Sequence, residues 1–322
     1  TGVRVIDLMT PMGKGQRMGI FAGPGVGKSM LMGNIARRAS CDVNIIALIG
    51  ERGREVKDFI ENNLGKEGLA KSVVVVATGD EPPLLRIRAA KLACAAAEYF
   101  RDQSLNVLLM MDSVTRFAHA QRQVGLSAGE PPTTKGYTPS VFSSMGLLLE
   151  RAGIIQANPT GKGDAHHGGG GSITGLYTVL VEGDDMTEPV ADAARGILDG
   201  HIILSRRLAQ KGHFPAVDVL DSVSRVAEEV TDERAGRSRR QMIKLLAAHR
   251  DVEDLVQIGA FARGANPTAD VAIDANAAIL ELLRQGKADT LGHEQALARF
   301  HKIADESSQS IERATKPRAR QP

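Results

Sequence analysis

Met18-Gly19-Ile20-Phe21-Ala22-Gly23-Pro24-Gly25-Val26-Gly27-Lys28-Ser29 decides the fold. A short apolar run at 18–22 ends in a glycine-rich loop, and a helical pattern at 29–38 opens behind it. Residues 22–29 read as a P-loop in which Ala22 stands where the strict pattern has its first Gly. Glycines let backbone N–H groups converge on phosphate oxygens, and a helix N-terminus adds partial positive charge. Gly23, Pro24, Gly25, Val26 and Gly27 are therefore the expected cradle, with Met30 on the first helical turn behind it. Lys28 is placed to reach β- and γ-phosphates, and the Ser29 hydroxyl to ligate Mg²⁺. A chance Gly-rich turn would not explain the strand before it and the helix after it.

Two acids fall on the same expected edge. Asn106-Val107-Leu108-Leu109-Met110-Met111-Asp112 is a strand of buried type ending in a carboxylate, the Walker B arrangement. The C-terminal edge of a parallel sheet faces the ligand crevice, so Asp112 is expected to hold Mg²⁺ directly or through water. The run at 43–49 leads into Gly50-Glu51-Arg52-Gly53-Arg54-Glu55-Val56. A carboxylate at Glu51 can activate an attacking water. The same acid, with Glu55, also suits the exposed start of a helix, where the dipole favours negative charge.

Apolar runs at 43–49, 73–77, 106–111, 173–181 and 201–204 alternate with helical patterns at 29–38, 54–64 and 84–101. Strands apolar on both faces and separated by helices imply an α/β fold with a mainly parallel sheet covered on both sides. From about Arg225 the texture changes. Val252, Leu255, Val256 and Ile258, then Ile279, Leu280, Leu282 and Leu283, recur at helical spacing with no further strand obvious. Gly264-Ala265-Asn266-Pro267 breaks this region in two. The expected organisation is a P-loop core over 1–228, a small C-terminal helical domain over 229–305 and a mobile tail over 306–322, polar and basic with two prolines. Four glycines at 168–171 follow His166 and His167; with no third ligand in sight, a flexible loop is expected there in place of a metal site.

Composition removes other classes. The chain has 322 residues, of which 43% are hydrophobic, enough for one large or two ordinary domains and too many for wholesale disorder. Lys and Arg number 40 against 38 Asp and Glu, so the basic footprint of a phosphate-backbone binder is missing. Aromatic content of 3%, with no Trp, argues against stacking platforms for single strands; no nucleic-acid partner is expected. Cys41 and Cys94 are the only cysteines, which precludes a disulfide framework or zinc spacing and points to a reducing compartment. No apolar run approaches the ~20 residues of a bilayer span, and no signal peptide is visible. The chain opens at Thr1 and is expected to be a fragment whose N-terminal part has been removed.

The residues also carry a resemblance. Thr1-Gly2-Val3-Arg4-Val5-Ile6-Asp7, the P-loop, residues 50–56, Met111-Asp112-Ser113-Val114-Thr115-Arg116-Phe117, Gly129-Glu130-Pro131-Pro132-Thr133, Pro139-Ser140-Val141-Phe142, Glu150-Arg151-Ala152-Gly153, Gly171-Ser172-Ile173-Thr174, Val181-Glu182-Gly183-Asp184-Asp185, the run 198–206 and Ser222-Val223-Ser224-Arg225 resemble the ATPases of type III protein export, flagellar and injectisome. These are relatives of the rotary ATP synthase β subunit. The likeness reaches to about Leu283. It implies a RecA-like P-loop NTPase core, ATP and Mg²⁺ as ligands, and a homohexameric ring with sites between subunits. It further implies chaperone–substrate complexes, a coiled-coil stalk protein and a regulatory peripheral-stalk protein as partners. The implied place is the cytoplasm, peripheral to the inner-membrane export apparatus and its gate. Glu51 looks like the family's catalytic carboxylate, with Arg52 and Glu55 as neighbours, and Arg225 like the arginine finger given to an adjacent subunit. Read without the resemblance, Arg225 is an Arg on a surface turn. Phe214, in His213-Phe214-Pro215-Ala216-Val217-Asp218, matches an aromatic position that stacks on adenine.

The family's N-terminal β-barrel is not among these residues, so weak ring formation by this chain alone is expected. The stretch 154–170 looks longer than usual. Asp254-Leu255-Val256-Gln257-Ile258-Gly259 and Asn266-Pro267 fit export ATPases better than the acidic loop of ATP synthase β, and Gly136-Tyr137-Thr138-Pro139 leans flagellar. Two other classes stay open: a catalytic subunit of a proton-driven ATP synthase, and a Rho-like RNA translocase, which Pro11-Met12-Gly13-Lys14-Gly15-Gln16-Arg17 also suits.

Overall fold

Alternation along the strands builds the sheet. In β2 (Val43–Ile49), Ile45, Ala47 and Ile49 turn to one side and Ile46 and Leu48 to the other; in β4 (Asn106–Asp112), Leu109 and Met111 oppose Leu108 and Met110. Such strands need apolar partners above and below. The computed structural model describes residues 1–155, 170–181, 183, 185–286 and 289–315. In it, β1 (Arg17–Ala22), β2, β3 (Ser72–Ala77), β4, β6 (Ser172–Leu180) and β7 (Gly200–Leu204) run parallel in the order β3-β2-β4-β6-β1-β7. Two antiparallel strands complete it. β8 (Val217–Ser224) pairs with β7 at the edge, and β5 (Gly153–Ile154) pairs with β6.

Helices α5 (Pro83–Asp102), α6 (Val114–Ser127), α7 (Pro139–Leu149) and α8 (Pro189–Ile197) cover one face, where Ala90, Phe117, Met145 and Val190 join the side chains of Ile45 and Met111. The other face receives α1 (Arg4–Met9), α2 (Lys28–Arg38) and the three long helices α10 (Glu233–Gln257), α11 (Pro267–Leu283) and α12 (His293–Thr315). Ile35, Ile6, Leu245, Ile279 and Phe300 belong to one continuous cluster with Ile46 and Met110, so the apolar core runs unbroken from the sheet into the C-terminal helices. Side-chain caps set the helix starts. Ser113 accepts from the Arg116 N–H, Asp232 from Ala235, and Asn266 from Thr268 and Ala269, with Pro267 at the first helical position. No described helix is long and apolar enough to cross a membrane.

Two sequence expectations need correction, and one strand had no expectation. The pattern at 54–64 is not one helix: α3 (Gly53–Asp58) gives way to a π-helical turn, Phe59–Leu64, and then to α4 (Gly65–Ala70). The π turn packs backbone-close on α2, where a Cβ on Gly33 would sit 2.6 Å from the Asn63 carbonyl oxygen. The segment 306–322 is not a tail from its start, because α12 continues to Thr315. Its His301, Ala304 and Ser307 are buried and Ile311 packs on the core, a helical stripe of mostly small or polar residues. Finally, β8 was legible neither as strand nor as helix. Its exposed Asp221 and half-buried Ser224 lie on the uncovered side of an antiparallel edge strand, while buried Asp218 and Ser222 interrupt the apolar run through hydrogen bonds, Asp218 accepting from Arg250 and Ser222 donating to the Asp218 carbonyl. His166, His167 and most of the long 154–170 stretch lie outside the described residues.

Candidate active site

Four neighbouring strands deliver the site to one edge of the sheet. β1 ends in the glycine-rich loop, and Gly27, at φ +90°, holds a left-handed conformation that costs a glycine little. α2 then begins at Lys28, with Ser29 exposed on its first turn. The Lys28 ammonium donates to Asp112 Oδ1 at the end of β4 and lies 3.8 Å from Glu51 Oε1, just past the end of β2. From β6, the Thr178 hydroxyl donates to the same Asp112 oxygen at 2.6 Å. Gly50, at φ +75°, makes room for this turn, since a Cβ there would meet the Arg116 Cβ at 2.7 Å.

The cluster is electrostatically poised. Glu51 Oε1 is buried and accepts no hydrogen bond, and Arg116 Nε is likewise buried and unpartnered. Burial, and next the neighbouring Asp112 carboxylate, push the Glu51 carboxyl up to about 7, against the attraction of Lys28. A carboxyl in that range can exchange a proton near neutral pH. Two acids beside a single ammonium, one of them with an orphaned oxygen, and a hydroxyl at the cleft mouth form a hard-oxygen donor set that fits a divalent cation such as Mg²⁺.

Beside the loop is an apolar slot lined by Val26, Gly27, Met30, Phe214 and Gln285. The Phe214 ring lies over Gly27, whose hypothetical Cβ would be 3.3 Å from the ring edge. Gln285, just after α11, holds this wall: its backbone N–H donates to the Phe214 carbonyl at 2.9 Å. Its side chain accepts from the Arg4 N–H at 2.8 Å and donates to the Gly2 carbonyl at 3.1 Å. Buried Arg4 clamps the same segment, reaching Asp289 at 2.7 and 2.8 Å and the Leu282 carbonyl at 2.9 Å. Arg4 thereby pulls the Asp289 carboxyl down to about 2.

Residues 2–224 match the nucleotide-binding domain of the ATP synthase alpha/beta family, and residues 231–302 match the C-terminal domain of the type III secretion ATPase EscN. The assembled EscN ATPase in complex with its central stalk EscO, from enteropathogenic Escherichia coli, superposes with a TM-score of 0.84 at 47% identity, over 94% of this chain and 70% of EscN. The chain belongs to the type III export ATPases of the ATP synthase alpha/beta family. The flagellum-specific ATP synthase of Bacillus subtilis is 54% identical over 92% of this chain, and the type 3 secretion system ATPase of Xanthomonas euvesicatoria 51% over 95%. The chain spans 65% and 66% of the length of those two relatives.

In this export ATPase family member, not every expected site residue converges. Gly23–Gly27, Lys28, Ser29, Met30, Glu51, Asp112 and Phe214 share the cleft at the sheet's C-terminal edge. Arg52 does not enter it; its side chain is 84% exposed and pairs with Glu55 at 3.6 Å. Arg225 lies at the other end of the sheet. It follows the antiparallel β8, its N–H donates to the Asp199 carbonyl, and Asp199 pairs with Arg17 at the start of β1. β1 has six residues, so at ~3.3 Å per residue Arg225 is on the order of 17 Å from its own phosphate loop. Glu182 and Asp184 of the loop after β6 lie outside the described residues. Three contributors had no assigned role in the sequence: Thr178, Arg116 and Gln285. A threonine inside the apolar run 173–181 was the available signal for the first. Gln285 carried none.

Proposed function

We propose that the chain hydrolyses Mg-ATP as the motor of a flagellar or type III protein export apparatus, working as a homohexameric ring with its ATP sites between subunits. The observation that carries this reading is the Lys28–Glu51–Asp112 cluster: a lysine bound to one acid, next to a second acid with an unsatisfied buried oxygen and a raised pKa. Lys28 leaves Asp112 for the β- and γ-phosphate oxygens, which the 23–27 loop and the α2 N-terminus cradle. Ser29 and Asp112 hold Mg²⁺, which supplies positive charge to the phosphate oxygens when bound. Glu51 takes the proton of the attacking water, with Thr178 keeping Asp112 in place and Arg116 supplying charge behind Glu51. Phe214 offers adenine a ring face, with Val26 and Met30 beside it. Arg52, on the open side of the cleft, closes on bound phosphates once it releases Glu55.

The position of Arg225 supports a site shared between subunits. It cannot reach its own loop, and exposed Val223 and Val230 flank it as an apolar contact surface. A finger offered to a neighbour supplies transition-state charge. The exposed Leu255, Val256 and Ile258 at the end of α10 suit a coiled-coil stalk of the kind EscN binds. Chaperone–substrate complexes, a peripheral-stalk regulator and the membrane export gate complete the proposed set of partners, on the cytoplasmic side of the inner membrane. The match of 231–302 to the EscN C-terminal domain favours export over proton-driven synthesis.

Subunit mixing tests the reading. Lys28→Ala and Arg225→Ala variants should each be inactive alone, since a finger is worth roughly 10³-fold or more in rate. Mixed rings contain interfaces that join an intact loop to an intact finger, so ATPase activity returns. Verified mixed rings without activity, or a dilute monomer at full rate, would overturn the shared site.

A further inference from the structure

The run Pro11-Met12-Gly13-Lys14-Gly15-Gln16-Arg17 takes no part in the nucleotide cleft, yet it carries a buried amide. Gln16 is 5% exposed and immediately precedes β1. Buried polar groups in folded proteins are hydrogen-bonded, and this one reaches three separate segments. Its Oε1 accepts from the Gly13 N–H at 3.0 Å, which closes the turn before β1. Its Nε2 donates to the Asp199 carbonyl at 3.3 Å and to the Ser224 hydroxyl at 3.2 Å.

Those two acceptors bracket Arg225. The chain leaves β7 through α9 (Arg206–Gln210) and returns antiparallel as β8, which brings Ser224 opposite Gly200. Arg225 follows Ser224, and its own N–H donates to the same Asp199 carbonyl at 3.0 Å. Two further ties run to the start of β1. Arg17 grips the Asp199 carboxylate with Nε and Nη2, each at 3.0 Å, and the Ser224 hydroxyl donates to the Pro11 carbonyl at 2.7 Å. The Arg225 guanidinium itself is exposed, and among the described residues its one hydrogen bond is to the Arg195 carbonyl, at 3.5 Å. Its aim is therefore set by the backbone beneath it.

Resting on the reading of Arg225 as a finger, we propose that Gln16 is its positioning residue: the buried amide locks the Asp199 turn and the end of β8 to the start of β1, and so fixes the direction in which the guanidinium leaves the subunit. Without the amide, the two segments lose their common donor and Gly13 loses its acceptor. A displacement of about 1 Å at a reacting centre can cost on the order of 10²-fold in rate. The six residues of β1 separate Gln16 from the chain's own phosphate loop, on the order of 17 Å away. The effect accordingly falls on the neighbour's site and spares nucleotide binding in its own.

Gln16→Met keeps the length of the side chain without its polar amide. In rings of the whole protein, turnover should fall on the order of 10²-fold, while the affinity of each chain for Mg-ADP stays at the wild-type value. Mixing separates positioning from general damage. Gln16→Met subunits combined with Lys28→Ala subunits form interfaces that join an intact loop to a well-aimed finger, so activity returns. Combined with Arg225→Ala subunits they form none, and activity stays low. A general fold defect would lower nucleotide affinity and be rescued by neither partner. The proposal is overturned if verified Gln16→Met rings run at the wild-type rate, if Mg-ADP affinity falls together with turnover, or if Lys28→Ala subunits do not restore activity. Should Gln16→Met fail to fold, Ser224→Ala decides. It removes one acceptor at a half-buried position, and a loss of roughly fivefold, the worth of one hydrogen bond, is expected in the same mixing pattern; full activity of its rings would overturn the proposal. The Arg225→Ala and Lys28→Ala pair is the reference. If that pair shows no recovery the shared site itself falls, whereas recovery there beside fully active Gln16→Met rings removes the positioning role alone.

Discussion

Replacing Glu51 by Gln should stabilise the nucleotide-free chain at alkaline pH while stopping its chemistry. The Glu51 carboxyl titrates at about 7 in the fold, against an ordinary 4.5, so the fold favours its protonated form. Stability from this group is therefore complete below about 4.5 and is lost as pH rises through about 7. At about 1.36 kcal/mol per pH unit the loss is roughly 3 kcal/mol at full weight, and about 2 kcal/mol after solvent screening at the cleft mouth. Gln has nearly the same shape, stays neutral and avoids that loss. Urea unfolding without nucleotide should then give the variant a gain of about 2 kcal/mol near pH 8 and under about 1 kcal/mol near pH 5. In the same preparation Mg-ATP should still bind, while turnover falls by roughly 10²-fold or more. A pH-independent stability difference would mean that Glu51 is not strained by burial and Asp112. Normal turnover would remove it from the chemistry.

Other consequences are separable. Phe214→Ala should weaken ATP affinity by about 1 kcal/mol, roughly fivefold in Kd, with little change in turnover at saturation; unchanged affinity in a nucleotide titration would take the ring out of the base slot. Arg4→Met breaks the buried clamp on Asp289 and Leu282 and should cost about 3 kcal/mol in urea unfolding, with a raised Kd for ATP because Gln285 loses its anchor beside Phe214. Asp289, held near 2 by Arg4, contributes stability above its ordinary 3.8 that is lost as pH falls towards 2. The Arg4→Met protein should accordingly lose less stability than wild type on acidification through that window.

What the sequence reveals follows from how local each determinant is. The P-loop, β2 and β4 are contiguous signals, in which composition and order alone place Lys28, Glu51 and Asp112 on one edge, and the structure puts them within ion-pair reach. The parallel strands were legible because burial on both faces leaves unbroken apolar runs. β8 was not, because an antiparallel edge strand is allowed its aspartates and serines. The π turn at Phe59–Leu64 depends on a close approach to Gly33, a partner more than twenty residues away in the chain. Gln285 acts largely through its backbone N–H and through contacts with Gly2 and Arg4 at the opposite terminus. No pattern of residue types announces such a contact.

The reversal at β8 has a consequence for counting. If Arg225 is the finger proposed above, then with the loop at one end of the sheet and Arg225 at the other each chain would carry two unlike half-sites, and association would be head-to-tail. An open string of n chains then holds n − 1 complete sites, and only closure supplies the last one. Activity per chain should accordingly climb as (n − 1)/n while the string grows and reach its full value when the ends meet. A chain defective in its loop silences one junction and a chain defective in its finger silences the next one round, so the order of defective chains within a ring matters as well as their number.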